Sequence, residues 1–157
     1  MSLSLRVLTL SAALWLLGCG PELPKEARIR RVVDGDTVQL SDGQLVRYIG
    51  INSPEVRRKV AGQWVEAPEP FALAAAEANR QLVEGRKVRL EYDVQTRDRF
   101  GRLLAYLYVD DAMVNEELVR EGWAQLMTIR PDVKYTERFR ELVEEARREH
   151  RGMWAKH

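Results

Sequence analysis

Between residues 34 and 55 the chain carries Asp34, Asp36, Arg47, Asn52 and Glu55, and a second arginine, Arg102, follows in Asp98-Arg99-Phe100-Gly101-Arg102. Carboxylate, amide and main-chain oxygens are the ligands that hard cations such as Ca²⁺ or Mg²⁺ take. Arginine presents a planar fork of donors that matches a phosphate. Together these residue types suit attack of water on a phosphodiester held beside a metal ion. Other chemistries lack their parts. One cysteine and two histidines, His150 and His157, cannot build a four-ligand zinc centre. No glycine-rich phosphate loop is present. His150 falls on the apolar stripe of a final helix, as a partly buried structural residue, and His157 is the last residue. Acid–base work therefore falls to a carboxylate or to metal-bound water.

Each candidate also has a plain structural reading. Asp34-Gly35 is a common turn pair, so Asp36 is also explained as turn chemistry. Arg47 shares a strand face with Leu45, Ile49 and Ile51, where an unpaired charge is expensive. If the face of Val46 and Tyr48 is the buried one, Arg47 lies in solvent instead. Glu55 follows Pro54 and taken alone reads first as a solvated loop residue, while Arg102 reads equally as a salt-bridge partner.

The elements that must position these groups are short. Residues 27–34, 36–41 and 45–51 read as three strands joined at Asp34-Gly35 and Ser41-Asp42-Gly43-Gln44, with Pro54 as a stop. Residues 52–68 read as a loop with a basic triplet, Arg57-Arg58-Lys59, and Trp64. Glu69 to Glu84 reads as a helix with Phe71, Ala75, Ala78 and Leu82 on its apolar face and Gly85 as its stop. Val88, Leu90 and Tyr92 alternate with charged residues as in a one-sided strand, and residues 94–101 form a charged turn. Leu103 to Val109 is apolar on both faces and so central. Asn115 is placed to cap a helix through Glu121, with Glu116 and Glu117 favourable to its dipole. Phe139, Leu142, Val143, Ala146 and His150 stripe a last helix from Thr136 to about Arg151, with Arg140–Glu144 and Glu144–Arg148 as i,i+4 pairs. About five strands, one inserted helix and helices at the end suggest a small oligonucleotide-binding-type barrel. A generic α+β sandwich fits the periodicity about equally well.

The first 19 residues have one charged side chain, Arg6, ahead of an apolar run from Val7 to Leu17. That run is shorter than the roughly 20 residues that span a bilayer, and it fits a signal peptide. It ends in Leu16-Leu17-Gly18-Cys19, and small and apolar residues before a cysteine resemble the bacterial lipoprotein cleavage box. Cys19 is the only cysteine, so no internal disulfide forms. The expected organisation is a signal peptide at 1–19, a tether at 20–26 and one domain at 27–157. The formal net charge is +1 and one cation belongs to the leading segment, so attraction to nucleic acid must come from local clusters.

Taken in order, Val33-Asp34-Gly35-Asp36-Thr37-Val38, Arg47 with Ser53-Pro54-Glu55, Asp98 to Tyr106, and Ala112 to Gly122 resemble the thermonuclease family, the secreted staphylococcal-type nucleases. The similarity runs from about residue 27 to Trp154. The resemblance implies an α+β, mainly β fold, a five-stranded OB-fold barrel with about three helices. It implies Ca²⁺-dependent hydrolysis of DNA and RNA that leaves 3′-phosphate ends. By motif position, Asp36, Asn52 and the Ser53 carbonyl would hold the metal (Ca²⁺, with Mg²⁺ possible). Glu55 would position and deprotonate the water. Arg47 and Arg102 would hold the scissile phosphate, and Arg99 and Phe100 would meet the nucleic acid. The chain also departs from the family. Asn52 stands where a second metal carboxylate is usual, which implies weaker Ca²⁺ affinity or a changed metal preference. Phe100 replaces a tyrosine, and Met127 and Thr128 lie where a second nucleotide-contacting tyrosine is usual. The expectation is a monomeric nuclease, lipid-anchored outside the cytoplasm through Cys19, acting on single-stranded or frayed DNA and RNA. A catalytically weak or inactive nucleic-acid-binding barrel is the alternative, favoured by Asn52, and an envelope interaction module is a third reading.

Overall fold

A computed structural model describes residues 22–155. The leading segment with Cys19, the start of the tether and His157 lie outside the described residues. Alternation builds the first sheet. β1 (Glu26–Asp34), β2 (Thr37–Leu40) and β3 (Leu45–Tyr48) form the expected antiparallel meander. β4 (Ile51–Asn52), β5 (Arg57–Val60) and β6 (Gln63–Glu66) precede α1 (Ala72–Val83). β7 (Lys87–Glu91), β8 (Leu103–Val109) and β9 (Ala112–Met113) lead into α2 (Val114–Arg120). β10 (Gln125–Leu126), α3 (Thr136–Arg148) and a 3₁₀ turn at Gly152–Trp154 complete the described chain. The strands run in the order β3-β2-β1-β7-β8, and β8 returns to pair in parallel with β3. That closure makes the five-stranded barrel expected, and it leaves no edge at that seam. Among the described residues no helix is long and apolar enough to cross a membrane.

Val38, Leu40, Val46, Leu103 and Leu107 fill the barrel interior. Fully burying such a side chain stabilises by about 1.5–3 kcal/mol. Val46 and Tyr48 point inward, so Arg47 takes the opposite face of β3. β8 is central, as its two apolar faces require.

Several elements differ from the sequence reading. The third strand stops at Tyr48 because Gly50 has φ +81° and the chain turns. A Cβ at Gly50 would lie 2.6 Å from the Phe139 ring, so α3 packs onto that turn. Beyond it, β4 pairs with β10 instead of continuing β3. Residues 57–66, expected as loop, form a hairpin of β5 and β6. The first helix begins at Ala72, three residues late, because Pro70 precedes and Phe71 sits at φ +67°. Its buried face is Ala72, Ala75, Ala76, Asn79 and Val83, rotated from the expected stripe. α3 buries Phe139, Leu142, Val143 and Ala146 as expected, but it ends at Arg148. His150 then lies exposed at φ +53°, not on a buried face. Arg140 pairs with Glu137 and Arg138 reaches Glu116 of α2, in place of the expected i,i+4 pairs through Glu144. The stretch at 20–26 is also partly tied down: β1 starts at Glu26, and the Pro24 carbonyl accepts the Tyr92 hydroxyl at 2.8 Å.

Asn115 is not the cap that its position suggests. It is fully buried, and Met113 occupies the cap position with no side-chain bond. The Asn115 amide accepts the Leu107 N–H at 3.0 Å and donates to the Ile49 carbonyl at 2.9 Å. It thereby bolts β8 to the turn that carries Ile51 and Asn52. Asn115→Ala leaves two buried backbone groups without partners, at about 1–3 kcal/mol each. The expected loss is about 3 kcal/mol, read as a lowered urea midpoint at unchanged slope.

Candidate active site

The corner at Asp34, Gly35 and Asp36 is held from several sides. The Asp36 N–H donates to Asp34 Oδ1 at 3.2 Å. Asn79 of α1 donates to the Asp34 carbonyl at 3.0 Å and accepts the buried Tyr48 hydroxyl at 2.9 Å. Gly35 is required for space: a Cβ there would lie 2.6 Å from the Ser53 side chain and 2.9 Å from Ala75 Cβ. The Asp-Gly pair is thus a turn that also lets Ser53 and α1 press against the backbone.

Asp36 is 1% exposed, and each of its carboxylate oxygens is engaged. The Ser53 N–H donates to Oδ2 at 2.6 Å, the Thr37 hydroxyl donates to Oδ1 at 3.1 Å, and Arg47 forms an ion pair with Oδ1. Arg47 also donates Nη2 to Asn52 Oδ1 at 2.8 Å. One guanidinium therefore ties together the two side chains expected to offer oxygen to a cation. It resolves the two readings of Arg47: the core lies on the other face, yet Arg47 is half-buried and paired. Burial lowers its proton affinity, while the carboxylates of Asp34, Glu55 and Asp98 oppose that shift. Burial likewise raises the Asp34 carboxyl above its usual range, against the pull of Arg47.

Glu55 sits at the open mouth. Its N–H donates to Glu69 Oε2 at 3.0 Å, and the Glu69 N–H donates back to the Glu55 carbonyl at 3.0 Å. Partial burial raises the Glu55 carboxyl, the Asp34 charge adds to this, and Arg47 and Arg102 oppose it. Arg102 enters from the turn before β8. Asp98 accepts its Nε at 2.7 Å and also the N–H groups of Phe100 at 2.9 Å and Arg102 at 3.0 Å. Among the described residues only Asp98 bonds that guanidinium, so its terminal nitrogens remain for a ligand. Phe100 is exposed, with Arg99 4.7 Å and Arg102 5.6 Å from its ring centroid, both in cation–π range.

Arg47, Asn52, Glu55, Arg99, Phe100 and Arg102 all line one cleft of about 540 Å³. Asp36 and Ser53 do not line it: both are buried, Asp36 paired behind Arg47 and accepting the Ser53 N–H. Met127 and Ile129 add apolar surface on the far side. Asn79 and Glu69 are the positioning residues that the sequence reading missed. A lone polar residue on the buried face of α1 is the signal for Asn79; Glu69 left none.

Asp98 carries a pH signature. Although its partial burial works the other way, the bonds from Arg102 and the two N–H groups hold its carboxyl below the usual 3.8. The stability it contributes is fully present above its unfolded value, near 3.9, and is lost as pH falls through the lower folded value. Wild type and Asp98→Asn should therefore differ in stability by an amount constant above about pH 5 that shrinks below about pH 4. Urea titrations across pH 2–6 check this.

The donors suit a hard cation by type: a buried carboxylate at Asp36, the Asn52 amide oxygen and main-chain oxygen at Ser53. They carry little charge, and among the described residues no three His, Cys, Asp or Glu side chains gather as a metal-holding group.

The comparisons with known proteins agree with this architecture. Residues 45–156 match the family model described as staphylococcal nuclease homologue. The chain is 33% identical to a thermonuclease of Staphylococcus hyicus over 98% of its own length and 89% of that protein. It is 34% identical to a thermonuclease of Staphylococcus intermedius, covering 80% of this chain and 74% of that one. It is also 34% identical to endonuclease YncB of Bacillus subtilis strain 168, over 80% of this chain and 60% of that one. With a barrel closed between β3 and β8 and two arginines turned into one cleft beside it, the chain belongs to the staphylococcal nuclease homologues.

Proposed function

We propose that this nuclease hydrolyses phosphodiester bonds of DNA and RNA by in-line attack of water, with the scissile phosphate seated between Arg47 and Arg102. The observation that carries the reading is that Arg47, Glu55 and Arg102 reach one cleft from three separate stretches of chain. The phosphodiester gains negative charge as water adds. Two guanidinium groups fixed before the reaction stabilise that charge more than the ground state. Asp98 holds Arg102 in place, and Arg47, held by Asp36 and Asn52 while their oxygens carry no cation, is released toward the phosphate when they do. Glu55, its back fixed by Glu69 and its carboxyl shifted upward, orients the water and takes its proton. Asp36, Asn52 and the Ser53 carbonyl are the groups that would hold Ca²⁺, or Mg²⁺. Such an ion, when bound, would make a water more acidic and offset transition-state charge. Product ends are proposed to be 3′-phosphates and the substrate single-stranded or frayed. The protein is proposed to work as a monomer, lipid-anchored through Cys19 outside the cytoplasm. The domain then runs from about residue 27 to the end.

The test is cleavage of single-stranded DNA with Ca²⁺, with Mg²⁺ and with chelator, beside Glu55→Gln. Expected are cleavage with a divalent ion, none in chelator, and a fall of about 10²–10⁴-fold in Glu55→Gln. Cleavage that persists in chelator or survives Glu55→Gln removes the mechanism. Retained binding without cleavage under any ion supports the binding-only alternative, for which Asn52 is the motive. Globomycin-sensitive processing tests the anchor.

A further inference from the structure

The hairpin β5–β6 stands apart from the barrel. All four residues of β5 are exposed, and of β6 only Val65 is half-buried. An isolated two-stranded ribbon is marginal by itself in water, so neither core packing nor sheet extension explains it. Its root is at Glu55. The reciprocal pair of Glu55 and Glu69 closes the base, and the Ala67 N–H donates to the Val56 carbonyl at 3.2 Å one step further out. Ala61 at φ +48° and Gly62 at φ +86° form the two-residue tip, the φ signs of a type I′ turn.

Register sorts its side chains. Lys59 lies opposite Trp64 and Arg57 opposite Glu66, so Arg57, Lys59, Trp64 and Glu66 share one face, two cations and a ring with a single carboxylate at the root. Trp64 is 66% exposed, a large ring offered to solvent beside Lys59 and diagonal to Arg57. Alternating cations and an aromatic platform are what a flexible polyanion with free bases fits: charges track phosphates, and a ring takes an unpaired base. A duplex keeps its bases stacked and offers the ring nothing.

We propose that this hairpin is a substrate arm that grips the single strand beyond the scissile bond, with Trp64 stacking on an unpaired base and Arg57 and Lys59 on neighbouring phosphates. The proposal rests on the nuclease reading of the adjoining cleft. The four residue steps from Glu55 to Lys59 reach at most roughly 13 Å. Even at the stacked spacing of 3.4 Å per nucleotide that is at most about four nucleotides from the reacting phosphate, and fewer for an extended strand. The arm thus gives the enzyme a preference for unpaired strands longer than the cleft holds.

Two measurements test it on the purified full chain. In chelator, tryptophan fluorescence is titrated with ten-nucleotide oligothymidylate. Wild type should be quenched, while Trp64→Leu should lose most of the quench and bind about tenfold more weakly. Trp64→Phe, which keeps a ring, should recover most of the affinity. Replacing both Arg57 and Lys59 with Gln should flatten the salt dependence by about 1.4 in log–log slope. With divalent ion, Trp64→Leu should raise KM about tenfold for the ten-nucleotide strand, with the loss absent on a dinucleotide too short to reach the arm. Unchanged binding and KM in Trp64→Leu, or equal losses on both lengths, overturn the proposal. So does a Trp64 response to anionic vesicles without one to the oligonucleotide. Trp64-dependent quenching in a protein that cleaves nothing leaves the arm standing and removes the nuclease mechanism instead.

Discussion

Replacing Arg47 with alanine is expected to lower kcat by two to three orders of magnitude and to destabilise the fold by about 3 kcal/mol. The first effect follows from removing one of two fixed cations that meet the phosphate as its charge grows. The second follows from Asp36, 1% exposed, which would lose its ion-pair partner. The destabilisation belongs at the low end for a broken buried pair, because the Ser53 N–H and the Thr37 hydroxyl still hold the carboxylate. Arg47→Lys separates the two effects. It restores a charge near Asp36 and part of the stability, but not the planar fork that also reaches Asn52, so the rate stays low. Urea unfolding beside initial cleavage rates reads both. Normal stability in Arg47→Ala would mean that Asp36 does not depend on this pair.

Arg102→Ala should show the same loss of rate without the loss of stability. Its guanidinium, 29% exposed, is held at the rim of the cleft by Asp98, and a pair so placed contributes about 1 kcal/mol or less. The expected outcome is a fall of about 10²–10³ in kcat with a nearly unchanged unfolding midpoint. A rise in KM at unchanged kcat would assign Arg102 to ground-state binding and remove it from the transition state.

Much of the barrel was legible from strand alternation and turn residues. Val38 and Leu40, Val46 and Tyr48, and Val88 and Leu90 keep a strict period of two, and the β1–β2 and β2–β3 turns fall at Asp-Gly steps. The α3 stripe was equally plain until its end, where nothing in the pattern distinguishes His150 as the residue that turns away at positive φ. The β5–β6 hairpin was hidden because it buries neither face, so no alternation marks it, and its tip is Ala-Gly instead of Asn-Gly or Asp-Gly. Asn115 misled for a related reason. An Asn ahead of acidic residues has the chemistry of a cap, and only the tertiary approach of Leu107 and Ile49 turns it into a buried bridge.

The site was legible as residue types in order, not as geometry. The sequence placed Asp36, Asn52 and Arg47 as separate actors, whereas the fold makes Arg47 the clasp on both oxygens. That arrangement depends on Gly35 admitting Ser53 and on the turn at Gly50, contacts between positions far apart in the chain. Glu69, which fixes the backbone of Glu55 across 14 residues, carries no sequence mark at all.

The central claim is that Arg47 and Arg102 meet one phosphate with Glu55 beside it. A crystal structure of Glu55→Gln with a bound single-stranded trinucleotide and Ca²⁺ measures this directly. The account predicts both guanidinium groups at about 2.7–2.9 Å from non-bridging oxygens of a single phosphodiester, with the residue-55 side chain on the side from which water attacks. Arg47 still closed on Asp36 and Asn52 with no contact to phosphate, or the two arginines on different phosphates, would contradict it.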